Sequence, residues 1–494
     1  MVIARPAATG YPLATVARRR WRRAVVACSC ALLTGCASAI PVSFPRAAGL
    51  NTSCIAPAPE GDLLLGVALS GGGSRAAVFG AASLEALGKL RVPGGGSVLE
   101  NIGYISSVSG GSVAASYFAG HKPGRETPVL MAGGGYTKEY ETFFRQYMER
   151  VTQNFEGALI WRQIASFRWF NSALAARSLE EVLKERLLGD LSLKDLSERQ
   201  SRGDIPGMLF NAAIFNNGRR FIFTTMPPDV ARYDVFTDLR RSAARRGETV
   251  EFVPLSQRMW EGLLPLTPFD LHADPCAVPV ASFVAASASF PPLVGPITFR
   301  VDGEETYWHV GDGGLYENAG VETLFSVFLK QLQEKKARRA LIFAFDSSYP
   351  FSVADRLLRR RSEPFSLFTY DFTRIPGIME QRAYAYNHLF FRTLRTQGVI
   401  PDVNTLRVMF LSHTEAQWRG DLTDLPEACR HERRPPRTPT EVTERLAEIP
   451  TRFRIVSECD RQLLVTAASK VMAQSQDEIE AFLAGRPSRE GTAQ

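Results

Sequence analysis

The sequence predicts an α/β fold built on a largely parallel central sheet. Three observations carry this: apolar runs of strand length, helical segments alternating with them, and Gly-rich turns at the junctions. The composition, 45% hydrophobic and 22% charged over 494 residues, is globular and supplies ample material for a core.

The first strand is Leu63–Leu69, a continuous apolar run that predicts burial on both faces of a sheet. Residues 76–90 are helical in composition. Residues 104–108 form a second strand, followed by a small-residue helix over 112–119. Further strands are expected at 208–213, 220–225, 307–310, 340–346 and 406–411. Between 136 and 190 the pattern turns helical, with Tyr140, Phe143, Phe144, Tyr147 and Val151 on one face. Ser178 and Glu181 have capping-box spacing and predict a helix start at Leu179. This insertion also holds Trp161, Phe167, Trp169 and Phe170, which suit either a packed core or a cap touching acyl chains or membrane.

The net charge of +7 is concentrated at the N-terminus. Residues 1–35 hold six arginines and no Lys, Asp or Glu, so 58 basic residues less six leave 52 against 51 acidic ones. The remainder carries no basic footprint, which excludes a nucleic-acid partner. Arg18 to Arg23, a short apolar run and Leu33-Thr34-Gly35-Cys36 follow in the order of a bacterial lipoprotein signal. The last four residues resemble a lipobox, and the resemblance implies lipidation of Cys36 and anchoring in the cell envelope. Ala37, being non-acidic, favours the outer membrane. A plain secretory signal is the alternative. The domain organisation expected is a signal peptide over 1–35, a tether over 36–60, a catalytic core over 61–350 and a mostly helical C-terminal extension, 351–494, packed on that core. Cys28 and Cys30 depart with the leader. Cys54, Cys276, Cys429 and Cys459 remain, an even number allowing three pairings, of which Cys429 with Cys459 closes a short loop. Four free buried thiols are the other possibility.

Three motifs carry chemistry. Gly71-Gly72-Gly73-Ser74-Arg75 lies between a strand and a helix, where backbone N–H groups can converge on a phosphate or an oxyanion. A dinucleotide fingerprint is excluded, because 91–100 is a Gly/Pro loop with no acidic residue ending a second strand. Ser107-Val108-Ser109-Gly110-Gly111 lies at the next strand–helix junction and has the small residues that a nucleophile elbow needs around Ser109. Asp312-Gly313-Gly314 follows a strand, and a buried Asp there can deprotonate a serine within hydrogen-bond reach.

In this order the motifs resemble the patatin-like phospholipase family. The match includes Ala285 to Pro292, Asn318 and a weaker echo over 449–454. Ser107 at the first elbow position and Ala76 after the loop depart from the pattern. The resemblance implies a three-layer fold, Ser109 as nucleophile, Asp312 as its base and an oxyanion hole from Gly72 and Gly73. Gly71, Gly110, Gly111, Gly313 and Gly314 support the turns, and Arg75 holds the loop or attracts a phosphate. The implied activity is hydrolysis of lipid carboxylic esters, of a phospholipid or lysophospholipid, through an acyl-enzyme. A Ser109–His–Asp triad using His309 is the competing mechanism. A silent lipid- or partner-binding lipoprotein and a small-ester or thioester esterase are the alternative functions. No residue spacing suggests a zinc or calcium site, so no metal or cofactor is expected.

Overall fold

The computed structural model describes residues 40–47, 49, 52–166, 168, 172–233, 242–247, 262, 264–291, 294–348, scattered positions in 378–398, and 405–486. The leader and Cys36 lie outside these residues, as do Phe167, Trp169, Phe170, most of 351–404 and the last eight positions.

Among the described residues, nine strands form one sheet. They are β1 (Val42–Phe44), β2 (Leu63–Leu69), β3 (Ile102–Val108), β4 (Gly207–Ile214), β5 (Arg220–Thr224), β6 (Ile297–Val301), β7 (Tyr307–Asp312), β8 (Arg339–Asp346) and β9 (Leu406–Ser412). The order is β1-β6-β7-β4-β3-β2-β8-β9, with β5 also paired to β4. Five pairings are parallel, and the antiparallel ones all involve β4, β5, β6 and β7.

Helices cover both faces, giving three layers. On β2 the alternation is direct. Leu65, Val67 and Leu69 enter the larger core with Val78, Phe79 and Leu84 of α1 (Gly73–Lys89). Leu64 and Ala68 enter the second core, which is completed by Leu324 and Phe328 on the far side of the sheet. The elbow helix α2 (Gly110–His121) packs on α1. The insertion supplies α3 (Lys138–Val151), α4 (Phe155–Ala165) and α5 (Ser172–Leu183), and α6 (Leu193–Ser201) follows it. After these come α7 (Val280–Ser287), α8 (Val321–Gln333), α9 (Glu427–Arg430), α10 (Pro439–Glu448) and α11 (Glu458–Leu483). Among the described residues no helix is long and apolar enough to cross a membrane.

Four details differ from the sequence reading. Part of the segment read as a tether is built into the fold: β1 pairs with β6, and the Tyr104 hydroxyl donates to Pro59 O. A three-residue strand is too short to show periodicity, which is why it reads as linker. β6, five residues next to a proline-rich stretch, was not read as a strand either. The Ser178–Glu181 spacing is not a cap, because α5 begins at Ser172. Ser178 sits inside the helix and accepts from Arg168 Nη1 at 3.3 Å, while Glu181 pairs with Arg162 and Arg168. Lastly, α1 begins at Gly73, inside the glycine run rather than after it.

The apolar face of α3 is buried in the larger core, and Tyr147 Oη donates to Ala114 O of α2 at 2.8 Å. The C-terminal segment joins the same body: β9 extends the sheet, and Leu463, Ala467 and Val471 of α11 enter the core shared with α1. Disulfides join Cys54 to Cys276 and Cys429 to Cys459.

Candidate active site

The sheet register brings the key side chains together. β3 runs parallel to β4 and ends with Val108 opposite Asn211. β7 runs antiparallel to β4 and ends with Asp312 opposite Ala212. β5 occupies the other edge of β4 across Leu209 to Ala213, so β3 and β7 share one edge, end to end. Their C-terminal ends point at each other. Ser109 and Asp312, the residues at that meeting point, lie 203 positions apart in sequence, yet Ser109 Oγ donates to Asp312 Oδ2 at 2.7 Å.

Ser109 takes φ 50° and ψ −119°, a backbone conformation that favours glycine, and turns the chain from β3 into α2. Its N–H donates to Ser287 Oγ at 3.0 Å. Ser287 Oγ in turn donates to Asn211 O at 2.6 Å and lies 2.9 Å from Ser112 Oγ, which donates to Ser107 Oγ at 3.0 Å. The Ser107 hydroxyl is therefore accommodated in a buried hydroxyl network, and the departure from glycine leaves the turn intact. Gly110 permits the closest approach in the site: a Cβ there would lie 1.9 Å from Gly73 O.

The Gly-rich loop follows β2. Gly71 N–H donates to Asn318 O at 2.8 Å and Ser74 N–H to Arg452 O at 2.7 Å. Among the described residues no acceptor meets the N–H groups of Gly72 and Gly73, which lie at the start of α1. Gly73 has φ +60°, and a Cβ there would lie 2.4 Å from Arg452 O. Arg75 is 1% exposed. Its guanidinium donates to Ser347 O at 3.0 and 2.8 Å and to Ile449 O at 2.6 Å, so it holds the loop and does not reach outward to a head group.

Asp312 is 2% exposed. Burial pushes its carboxyl up to about 7, against the opposing effects of the Gly314 N–H, 2.8 Å from Oδ1, and of the Ser109 hydroxyl. Gly313 and Gly314 form a single 3₁₀ turn that aims this N–H back at the carboxylate. Gly110 and Gly111 are the first two residues of the elbow helix. His309 does not join the pair. Three residues before Asp312 on one strand, it points to the opposite face, and its Nδ1 lies 3.0 Å from Thr298 Oγ1. Ser287, Ser112 and Asn211 were not singled out from the sequence. Their only signal was Ser287's place in the small-residue run 285–289.

The arrangement holds a hydroxyl against a buried carboxylate, beside two N–H groups at a helix N-terminus. Chemically it suits acyl transfer from an ester. The family model for patatin-like phospholipases matches residues 67–325, just over half of the chain. No curated protein matches significantly. Among solved structures, human GIVD cytosolic phospholipase A2 is similar over 88% of this chain at 13% identity, with a TM-score of 0.43. The chain spans 61% of that enzyme. The same enzyme in complex with the inhibitor methyl gamma-linolenyl fluorophosphonate and terbium chloride gives 15% identity, a TM-score of 0.43, and coverage of 86% and 59%. VipD from Legionella pneumophila gives 10% identity, a TM-score of 0.31, and coverage of 89% and 71%.

Proposed function

Because the chain belongs to the patatin-like phospholipase family, we propose that it is a serine acyl hydrolase of lipid carboxylic esters, using Ser109 and Asp312 as a dyad. The observation that carries this is the 2.7 Å hydrogen bond from Ser109 Oγ to Asp312 Oδ2 at a buried, strained turn. The Asp312 carboxylate takes the hydroxyl proton as Oγ attacks the ester carbonyl carbon. Negative charge develops on the carbonyl oxygen, within reach of the Gly72 and Gly73 N–H groups, and the alcohol leaves with the proton. Water, deprotonated by the same carboxylate, then cleaves the acyl-enzyme and restores Ser109. A raised Asp312 pKa brings this base close to neutral pH, where a general base works best.

The intact pairing weighs against a silent binding protein. The substrate is a phospholipid or lysophospholipid, and no metal takes part in the steps above. The lipobox-like Leu33-Thr34-Gly35-Cys36 supports a lipid anchor on Cys36 and a place in a bacterial envelope, at the outer membrane, where the enzyme is concentrated at its substrate.

Fluorophosphonate labelling with peptide mapping tests the chemistry. Label is expected on Ser109 and is lost in Ser109→Ala and Asp312→Asn. Hydrolysis falls at least about 10⁴-fold in Ser109→Ala. Persistent hydrolysis by that variant rules the dyad out.

A further inference from the structure

Helix α4 carries a stripe of exposed apolar side chains. Ile160 is 50% exposed, Trp161 71% and Ile164 48%, while Phe155 and Leu159 on the other side are buried in the core. Among the described residues, no other helix with an unbroken description exposes three large apolar side chains. Solvent-exposed apolar groups clustered in this way mark an interaction surface.

The stripe is tied to the active site by helical spacing. Glu156, Ile160 and Ile164 succeed one another at four-residue intervals and share one face of α4. Glu156 N–H donates to Phe453 O at 3.1 Å, and its carboxylate lies 3.6 Å from Arg452 Nε and 3.7 Å from Arg454 Nε. Arg452 is the residue whose carbonyl accepts from Ser74 in the Gly-rich loop. A chain of contacts therefore runs from the oxyanion loop through Arg452 to Glu156, on the helix that bears the apolar stripe. Two guanidinium groups share one carboxylate, a net of one positive charge for the three side chains. Val456, two residues beyond Arg454, is also exposed, at 61%.

We propose that this face of α4, with Arg452 and Arg454, docks the enzyme on a lipid bilayer containing anionic lipid. The inference rests on the acyl-hydrolase reading, since a lipid substrate must reach Ser109 from an aggregated phase. Tryptophan and isoleucine on one helix face enter the acyl boundary of a bilayer, and flanking arginines meet the phosphates of anionic lipids. The arrangement sets the oxyanion loop at the lipid surface. A soluble protein partner has no such need for a bare Trp beside a cationic rim next to the catalytic loop.

The test uses the full chain carrying Cys36→Ser, so that no attached lipid contributes to binding. Vesicles of phosphatidylcholine, with or without phosphatidylglycerol, are the probe, and p-nitrophenyl butyrate is the monomeric substrate. The Trp161 emission, isolated by subtracting the Trp161→Phe variant, is expected to shift to the blue on adding vesicles. The combined Ile160→Ser, Trp161→Ser and Ile164→Ser variant is expected to lower the ratio of vesicle to monomeric-ester hydrolysis at least tenfold. Arg452→Gln and Arg454→Gln weaken binding to phosphatidylglycerol vesicles about fivefold each, and much less to phosphatidylcholine alone. An unshifted Trp161 emission together with an unchanged ratio overturns the proposal. So does a triple variant that binds vesicles like its parent but no longer self-associates, which would assign the face to a second copy of the chain. Vesicle binding is read without turnover. A parent that binds vesicles yet hydrolyses neither substrate sinks the acyl-hydrolase reading and leaves the docking face standing.

Discussion

Two neighbouring strands of the sheet, β2 and β3, end in turns that lead straight into α1 and α2, and the two turns solve different problems. After β2 the chain needs only backbone N–H groups, and it uses glycine, with φ +139° at Gly72 and +60° at Gly73. After β3 the proposed chemistry needs an oxygen nucleophile, and the chain places Ser109 at φ 50° in a region that suits glycine. One turn is relaxed by composition. The other is held by its surroundings: the Ser287 hydroxyl on the Ser109 N–H, and Gly110 closed against Gly73. Strain at a residue persists where neighbouring structure over-determines it. The difference shows where side-chain chemistry outweighs backbone preference.

The largest expected effect breaks the relaxed turn. In Gly73→Ala a new Cβ meets Arg452 O at 2.4 Å, and the φ of +60° disfavours any L side chain. The loop must shift and misdirect the N–H groups at the oxyanion. The expected loss in kcat is about 10²–10³, as for deletion of one oxyanion donor, with a smaller change in KM. An alanine variant with parental kcat would separate this loop from the chemistry.

A second effect belongs to the strained turn's partner. In the proposed mechanism hydrolysis requires Asp312 ionised, and burial holds its carboxyl up near 7. Against pH, kcat/KM on a monomeric ester is expected to fall about tenfold per unit below 7 and to level off above it. Stability runs the opposite way. The folded-state pKa exceeds the unfolded value, so the protein's stabilisation from Asp312 is full below about pH 4 and is lost as pH rises through 7. Asp312→Asn removes that loss, so its Tm advantage over the parent should be larger at pH 8 than at pH 5. A flat activity profile from pH 5 to 8 would assign the proton to another group.

Both turns were legible in the sequence because each is local: strand, glycines and helix follow one another within a dozen residues. The Ser109 and Asp312 motifs were legible for the same reason. What the sequence hid was non-local. Residues 449–454 read only as a weak echo of the family pattern, and their contacts were not legible: Ile449 O reaches Arg75 across 374 positions, and Arg452 O accepts from the Gly-rich loop from outside the family match. Neither uses a side chain on the C-terminal partner, so no residue type betrays the contact. β1 was invisible because three residues cannot display a period of two. The Ser178–Glu181 pair misled because the same spacing occurs within a helix, where it serves an ion-pair cluster. The hydroxyl network around Ser287 was half visible, as small residues whose partners could not be named.

The smallest effect sharpens the comparison most. If Ser109 carries backbone strain and Gly72 and Gly73 do not, the three should respond differently to one test of stability. Ser109→Gly and Ser109→Ala both remove the hydroxyl and its bond to Asp312, and both abolish hydrolysis. They differ in the backbone alone, since alanine keeps the φ 50° penalty and glycine does not. Glycine normally lowers stability by widening the unfolded ensemble, by roughly 0.5–1 kcal/mol. Relief of a strained conformation is worth roughly 1–3 kcal/mol. The second term is larger, so Ser109→Gly is expected to be more stable than Ser109→Ala by about 1 kcal/mol in denaturant unfolding at pH 7. At Gly73 the order is the same and the gap wider, because alanine there adds the φ penalty and a Cβ clash with Arg452 O to a turn that had neither. If Ser109→Gly is instead the weaker of the two, the elbow is not strained. The Ser287 bond and the Gly110 contact would then describe packing, and no conformational penalty would be left for them to offset.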